Sequence, residues 1–448
     1  MAVRVGGPSV RVPSPLVHRY VWSCCTFTSH ARVSDKLPSG APRAKQFPAS
    51  FVVPTAVPQM SQMTRDEAAH RQKILGILNS MKLPKYNYAF AYGSGVFSQT
   101  TKAKAVGGTA PMIDMVIAVQ NPAHWHAMNM RTNPHHYPWW ARMFGEWAVR
   151  ATQNLGAKMW YVPYVQVQDE IVKYGVISLE DMCEDLLCWT TLYVSGRMHK
   201  PIARLFDATN GRVPIAEQAN LTSALRTALL LLPEEFSEKD LYYMVSSLSY
   251  LGDFRMSVPG GENRNKVKNI VENQLPWFRI MCADLITRLR FIHVSCGTDS
   301  FKMRQDISPQ TRATVAANLA RNLRLRLIEH FLQRPQLHPL FKDLQGTDPQ
   351  TLVPDTPHVA NENTPVDLAY SHGEDSDQLP PLATRFWLAV VQQETFPQAL
   401  REEIATIVRQ PAFMQSLKGL YTAGVGRSLR YLWSKMSKFR QGRKEAQK

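Results

Sequence analysis

The chain of 448 residues is longer than one hydrophobic core requires, so its length predicts two or three folded units with tails. Its formal net charge of +16 favours anionic partners, among them nucleotides, nucleic acids and anionic lipid. No apolar run reaches the roughly 18 residues of a membrane span, and no cysteine spacing is typical of zinc, which excludes both classes of module.

The N-terminal segment has the composition of a targeting sequence. Residues 1–34 contain arginines and serines, and no acid comes before Asp35, which is typical of a mitochondrial transit peptide. Pro8, Pro13 and Pro15 interrupt any long amphipathic helix, so a disordered basic tail is the alternative. A proline-rich linker follows, and residues 1–63 are predicted to precede the folded part.

Residues 64–200 predict an α+β unit. A helix is expected to begin at Thr64, with Glu67 three residues later, as in a capping box. Apolar patterns predict strands at 88–92, 112–119, 159–167 and 170–178. Helices are predicted at 138–157, where Gly156 ends the pattern, and at 179–198.

The remainder of the chain is predicted to be mostly helical. Residues 201–343 contain several segments with helical spacing and are expected to form a second, mainly α unit. Residues 344–381 hold seven acids and no Lys or Arg, so they predict a disordered acidic insertion. Helices are expected again from residue 382 to the basic end at residue 448.

One turn and one carboxylate suggest a phosphate site. Gly93, Ser94 and Gly95 follow the strand "YAFAY", and such a turn can present backbone N–H groups and a hydroxyl to an anion, although a plain turn has the same pattern. Asp114 is an isolated acid in the next apolar strand, where it should be paired, hydrogen-bonded or bound to a metal. Mg²⁺ held by this carboxylate and nucleotide phosphates is the prediction.

This arrangement resembles the nucleotidyltransferase fold of the DNA polymerase β superfamily. The segments "YGSGVF", "MIDMVIAV", "NPAHWHAMNM", "VKYGVIS", "EDLLCWTTLYVSGRMHKP", "SYLGDFRM" and "KGLYTAGVGRSLRY" further resemble the mitochondrial phosphatidate cytidylyltransferase family. The resemblance covers about residues 70–290 and 400–430. It implies transfer of a cytidylyl group from CTP to phosphatidic acid, which yields CDP-diacylglycerol and pyrophosphate for cardiolipin synthesis at the matrix face of the mitochondrial inner membrane.

The resemblance also implies roles for individual residues. By position, Gly93, Ser94 and Gly95 match the phosphate-binding turn, and Asp114 matches the magnesium-binding carboxylate. Many superfamily members carry a second acid two residues later, where this chain has Val116. A second acid is therefore expected from elsewhere, unless one metal suffices, and the candidates are Asp185 and Asp253.

Four cations are candidates for contacts with phosphate. Lys173 lies within an otherwise apolar strand, although a lysine that reaches solvent would fit there too. Arg197 and Lys200 end the predicted helix, where they could also offset its dipole. Arg255 follows Asp253 closely, and the two could simply pair.

The C-terminus predicts an amphipathic, membrane-binding helix. At about 100° per residue, one face is apolar and the opposite side is basic, which suits the surface of an anionic bilayer. Packing on the protein's own core is the alternative. The residues predicted to bind the membrane are Leu429, Arg430, Leu432, Trp433, Lys435, Met436, Lys438 and Phe439.

Two other functions compete with the lipid enzyme. A nucleotidyltransferase acting on RNA should carry the second strand acid that Val116 replaces, so no nucleic-acid partner is expected. A non-catalytic peripheral protein that supports assembly of an import translocase would explain the basic helix. That alternative leaves Ser94 and Asp114 without a purpose.

Overall fold

A five-stranded sheet forms the centre of the first part of the chain. The computed structural model describes residues 57–97, 112–256, 265–295, 300–353 and 381–423. The order across the sheet is β3-β4-β2-β1-β5, in which β2 and β4 are parallel and the other neighbouring pairs are antiparallel. The strands are β1 (Tyr88–Tyr92), β2 (Ile113–Val119), β3 (Trp160–Val167), β4 (Glu170–Ser178) and β5 (Ile202–Asp207).

Helices cover both faces of this sheet. One face packs on α1 (Val57–Ser80), α2 (Pro122–Thr132) and α3 (Trp139–Gln153), and the other on α4 (Leu179–Cys188) and α6 (Arg212–Leu231). Strand residues alternate between the two cores; Met115 joins the first and Val116 the second. The mixed α+β class predicted for this region is therefore confirmed.

The start predicted for α1 is wrong. The helix begins at Val57 and runs through Thr64, so the capping pattern at Thr64 does not mark its first turn. Pro58 lies in that first turn, where its missing N–H removes no intrahelical hydrogen bond. The end predicted for α3 is close, since Gly156 takes a positive φ of 65° three residues after Gln153.

The helix predicted across residues 179–198 is broken in two. α4 ends at Cys188, Trp189 takes a left-handed conformation with φ of 57°, and a short helix, α5 (Ser195–Met198), follows. The apolar spacing predicted by the sequence is present, but part of it lies in a loop that folds around the buried carboxylate of Asp185. That loop forms one wall of the candidate site described below.

The second part of the described chain is mainly helical, with a small sheet that the sequence did not predict. Strands β6, β7 and β8 pair antiparallel in the order β6-β8-β7 and cover only three or four residues each. Such short, half-polar strands carry little periodic signal. The elements are β6 (Glu235–Ser237), α7 (Glu238–Ser247), α8 (Lys266–Arg288), β7 (Ile292–Ser295), β8 (Lys302–Gln305), α9 (Pro309–Ala317), α10 (Arg321–Leu332), α11 (Pro339–Asp343), α12 (Pro381–Val391) and α13 (Phe396–Ala423).

The acidic segment begins with packed residues. Leu344 and Leu352 are buried, and residues 349–352 form a 3₁₀ turn. Residues 354–380 of the predicted insertion lie outside the described residues. The predicted C-terminal helix, with Leu429 to Phe439, also lies outside them. Within the described residues, no helix has the length and apolar character needed to cross a membrane.

Candidate active site

A cavity of about 410 Å³ opens where β1, β2 and β4 bring polar residues to one end of the sheet. Its other walls come from the loop before α5, from α5 itself, and from α8 and α13. The cavity brings together most of the predicted site residues, while Gly95 and Asp185 are not among its lining. Those that line it are Gly93, Ser94, Asp114, Lys173, Arg197, Lys200, Asp253 and Arg255.

Three neighbouring strands place Tyr92, Asp114 and Lys173 at the same level of the sheet. Asp114 is the register partner of Tyr92 on β1 and of Lys173 on β4. Neighbours in register point to the same face, which for Asp114 is the face covered by α4 and α6. The Lys173 Nζ lies 3.5 Å from Asp114 Oδ1 and 4.4 Å from the centre of the Tyr161 ring. The isolated acid thus has a cationic neighbour at the cavity wall.

The glycine turn is held against this carboxylate. Gly93 has a φ of 85°, and a Cβ added there would lie 3.6 Å from Asp114 Oδ2. A Cβ at Gly95 would come within 2.4 Å of the Met112 carbonyl oxygen, so only glycine fits there without movement of the backbone. Ser94 between them is exposed and lines the cavity. Gly95 therefore allows the turn to pack closely against the start of β2.

Arg197 is held by two tyrosines at the cavity wall. Its Nε donates to the Tyr92 hydroxyl at 3.1 Å, and its guanidinium lies 3.8 Å from the centre of the Tyr193 ring. The same guanidinium donates to the Tyr193 carbonyl oxygen. Among the described residues, no carboxylate forms an ion pair with it. The two tyrosines therefore hold the guanidinium in place, and among the described residues no acid neutralises its charge. An oriented, unpaired positive charge of this kind is what a binding site for an anion requires.

Lys200 adds a second oriented cation. Its Nζ donates to Ser249 Oγ at 3.0 Å and lies 5.0 Å from the centre of the Tyr250 ring, which Lys266 also approaches at 5.6 Å. Burial, together with the charges of Arg197 and Lys266, lowers the pKa of Lys200 well below its usual value. Because the charged form of Lys200 is destabilised by its surroundings, a bound anion would stabilise that form strongly.

This lowered pKa predicts proton uptake when a nucleotide binds. A bound triphosphate raises the pKa of Lys200, so the complex holds more protons, and affinity falls as the pH rises through the lowered pKa. Calorimetry of CTP binding above about pH 7, where phosphate is mostly ionised, should give heats that depend on the buffer's ionisation enthalpy. Lys200→Met should remove that dependence, whereas Lys268→Met, an exposed lysine paired with Glu272, should keep it. Equal heats in two buffers for the unsubstituted chain would contradict the assignment.

Arg255 and Asp253 reach the cavity as an ion pair. Asp253 is buried, and its two carboxylate oxygens accept hydrogen bonds from Arg255 at 2.6 to 3.1 Å. Asp253 also accepts from the Arg255 backbone N–H at 3.0 Å. The ion pair between Asp253 and Arg255, which was the alternative to a contact with phosphate, is therefore present. Both residues nevertheless line the cavity.

Asp185 does not reach the cavity, because its carboxylate is turned into the loop between α4 and α5. It is 2% exposed and accepts seven hydrogen bonds of 2.7 to 3.2 Å from backbone N–H groups and hydroxyls of residues 190–195. This loop supplies Thr191, Leu192 and Tyr193 to the cavity and leads directly into Arg197. Asp185 therefore positions the loop that orients Arg197.

Asp185→Asn should destabilise the protein and lower its activity together. Hydrogen bonds to a charged acceptor are stronger than neutral ones, and the amide NH₂ would face N–H donors, so unfolding free energy should fall by about 2 to 4 kcal/mol. Urea denaturation measures this loss. The neighbouring Glu184→Gln, with an exposed carboxylate in a surface ion pair, should change stability by less than about 1 kcal/mol. Equal stability of the two variants would refute the positioning role.

The donor set of the cavity suits a magnesium ion that a nucleotide helps to bind. No group of three or more His, Cys, Asp or Glu side chains placed to hold a metal occurs among the described residues. Asp114, beside the Gly93 turn, offers a partly exposed carboxylate to the cavity. Mg²⁺ is commonly held by one or two carboxylates with substrate phosphates and water, so these residues fit the ion in the presence of a nucleotide.

The sequence did not single out the aromatic residues of the site. Tyr92, Tyr193 and Tyr250 line the cavity and contact its cations, and Lys266 from α8 adds to its charge. Tyr92 directly precedes the glycine turn and lies on the same face of β1 as Tyr88 and Phe90. The alternation of aromatic residues in this strand could have identified it from the sequence. Among the described residues, the lining then holds five cations and two acids, which favours a polyanionic ligand.

The comparisons with known proteins point to one enzyme. The family described as "Phosphatidate cytidylyltransferase, mitochondrial" matches residues 74–438. A relative of that name from Xenopus laevis is 34% identical over 356 residues, which cover 78% of this chain and 89% of the relative. Relatives of the same name from Danio rerio and Schizosaccharomyces pombe are 32% and 31% identical, over 80% and 84% of this chain and 91% and 86% of their own.

Proposed function

The chain belongs to the mitochondrial phosphatidate cytidylyltransferase family, and on this premise we propose that its cavity binds CTP and catalyses cytidylyl transfer to phosphatidic acid. The products are CDP-diacylglycerol and pyrophosphate. The observation that carries the assignment is the meeting of the Gly93–Ser94 turn, Asp114 and a cluster of oriented cations in one cavity. A cavity of this charge suits the two polyanionic substrates that the reaction requires.

The five-stranded sheet supports a nucleotidyltransferase fold for residues 64–200, extended by the edge strand β5 at Ile202–Asp207. In this proposal Ser94 and the turn receive the triphosphate, and Asp114 on the neighbouring strand would hold a magnesium ion. Arg197 and Lys200 bind phosphate oxygens from α5 and the residues that follow it. The Asp253–Arg255 ion pair belongs to the same cavity lining, and Lys173 places a positive charge beside the Asp114 carboxylate.

Cytidylyl transfer requires alignment of the two substrates more than it requires a strong general base. The phosphate monoester of phosphatidic acid is largely ionised near neutral pH and is itself the nucleophile. One of its oxygens forms a bond to the α-phosphorus of CTP while the bond to the bridging oxygen of the β-phosphate breaks, and pyrophosphate leaves with that oxygen. The protein's cations stabilise the charge that develops on the leaving group. Magnesium, when bound, would add electrostatic stabilisation of the same charge.

We further propose that the protein acts at the matrix face of the mitochondrial inner membrane, as a peripheral protein that feeds cardiolipin synthesis. The relatives' names place them in mitochondria, and the lipid substrate requires contact with a bilayer. The basic, apolar pattern of residues 425–440 supports binding to an anionic membrane surface. The N-terminal composition supports import.

The proposal is tested by the position of label in CTP. The full chain is incubated with magnesium, phosphatidic acid vesicles and CTP labelled at either the α- or the γ-phosphate. α-Label should become extractable into chloroform, while γ-label should remain in the aqueous phase as pyrophosphate. No lipid label from a folded, vesicle-bound protein would overturn the enzyme assignment and favour the non-catalytic assembly role.

A further inference from the structure

Two neighbouring helices expose an unusual number of large apolar side chains. On α3, Trp139 and Trp147 are 67% and 69% exposed, with Met143 and Phe144 between them also exposed. On the last turns of α13, Leu417, Leu420 and Tyr421 are about half exposed. Single exposed apolar residues are ordinary, but a cluster of this kind marks an interaction surface.

The two helices pack against each other, and their exposed apolar residues are here called the aromatic platform. The rings of Trp140 and Tyr421 lie 4.2 Å apart, and Lys418 Nζ donates to the Gln153 carbonyl oxygen at 2.8 Å. Gly156 is in close contact with α13, since an added Cβ would lie 2.8 Å from the Gln415 backbone nitrogen. The platform consists of Trp139, Met143, Phe144, Trp147, Leu417, Leu420 and Tyr421.

The aromatic platform is joined to the catalytic cavity by a single helix. Val408 and Ala412 of α13 line the cavity, and the same helix continues to Tyr421. At 1.5 Å per residue, Ala412 and Tyr421 are separated by about 14 Å along the axis. The platform and the cavity wall are therefore about 14 Å apart along one helix.

We propose that the aromatic platform docks on the surface of a lipid bilayer that contains anionic phospholipid. Tryptophan is suited to a bilayer interface because its ring is apolar and its N–H is polar. In the sequence, α13 is followed directly by residues 424–448, which contain eight Lys or Arg residues and one acid, a composition that favours anionic lipid. This inference rests on the proposed function, since a lipid substrate is what makes the membrane its partner.

The experiment compares two double variants of the full chain. Trp139→Ser with Trp147→Ser removes the two most exposed rings of the platform. Tyr243→Ser with Ile307→Ser is the control, because both are large apolar side chains that are exposed elsewhere, by 46% and 44%. Binding to phosphatidylcholine vesicles that contain phosphatidic acid is measured by flotation, and activity is measured with those vesicles and with a short-chain, monomeric phosphatidic acid.

The platform variant should bind vesicles at least about tenfold more weakly, while the control binds like the unsubstituted chain. Its activity should fall on vesicles and persist on the monomeric lipid. Unchanged vesicle binding would overturn the docking proposal. A dimer of the unsubstituted chain that the platform variant loses, with vesicle binding unchanged, would assign the surface to a second copy. If the unsubstituted chain is inactive on both lipids while binding still depends on the platform, the proposed function fails and the docking surface stands.

Discussion

Asp114→Asn should reduce cytidylyl transfer by at least about a thousandfold without unfolding the protein. The amide has the size of the carboxylate, so the packing of β2 is retained. What is lost is the negative charge beside the Gly93 turn and the preferred ligand type for magnesium. Initial rates of lipid labelling measure the effect, and thermal unfolding followed by circular dichroism shows that the fold persists.

Glu170→Gln is the matched control for this variant. Glu170 lies on β4 of the same sheet and pairs with Lys73 at 2.7 Å, away from the cavity lining. Loss of the Glu170 carboxylate should leave the rate of lipid labelling within about twofold of that of the unsubstituted chain, because surface ion pairs contribute little to stability. A rate for Asp114→Asn that stays near that of the control would remove Asp114 from the reaction.

Arg197→Met should lower the rate by about 10²- to 10³-fold, which is the usual effect of removing one oriented donor from a site of developing charge. Methionine retains much of the apolar stem that packs near Tyr193, but it removes the guanidinium that Tyr92 and Tyr193 hold. If Arg197 contacts the leaving pyrophosphate, the loss should appear mainly in kcat. Steady-state kinetics with varied CTP separate the two parameters.

Arg204→Met offers a close comparison with Arg197→Met. Arg204 lies on β5, donates to the Tyr88 hydroxyl at 3.2 Å and pairs with Glu217, but it does not line the cavity. It therefore repeats the arginine–tyrosine contact on the same sheet without the proposed contact with phosphate. An equal loss of activity in the two variants would show that Arg197 supports the fold and does not act on the substrate.

The strands around the site could be predicted because their apolar runs are interrupted by single charges. Asp114 and Lys173 stood out for that reason, and the register of β2 with β4 places them side by side. Their distance could not be predicted, since it depends on a parallel pairing between strands that are far apart in the sequence. Strand β5 escaped prediction because it is a short edge strand with exposed polar residues.

The role of Asp185 illustrates what periodicity cannot show. It lies in an apolar pattern that predicts a helix to residue 198, and its charge suggested a metal ligand. In the structure its carboxylate accepts the backbone N–H groups of a loop, so the helix ends at Cys188. Backbone donors stabilise a buried carboxylate as well as a metal does, and the sequence does not distinguish the two.

The aromatic residues of the site were missed for a related reason. Tyr193 lies in the loop that Asp185 holds, and its ring reaches Arg197 only because the predicted helix is broken there. Tyr250 comes from a segment that is distant along the chain and meets Lys200 through tertiary packing. Contacts of this kind depend on the whole fold, whereas the glycine turn and the strand acid are local features.

We propose that the cavity between the Gly93–Ser94 turn and Arg197 binds the triphosphate of CTP. The most direct measurement is a crystal structure of the full chain with magnesium and a CTP analogue that has a methylene group between the α- and β-phosphates. We expect density for the phosphates beside Ser94, Arg197 and Lys200, with the metal ion on the Asp114 carboxylate. Nucleotide density outside this cavity, or a metal ion bound without Asp114, would contradict it.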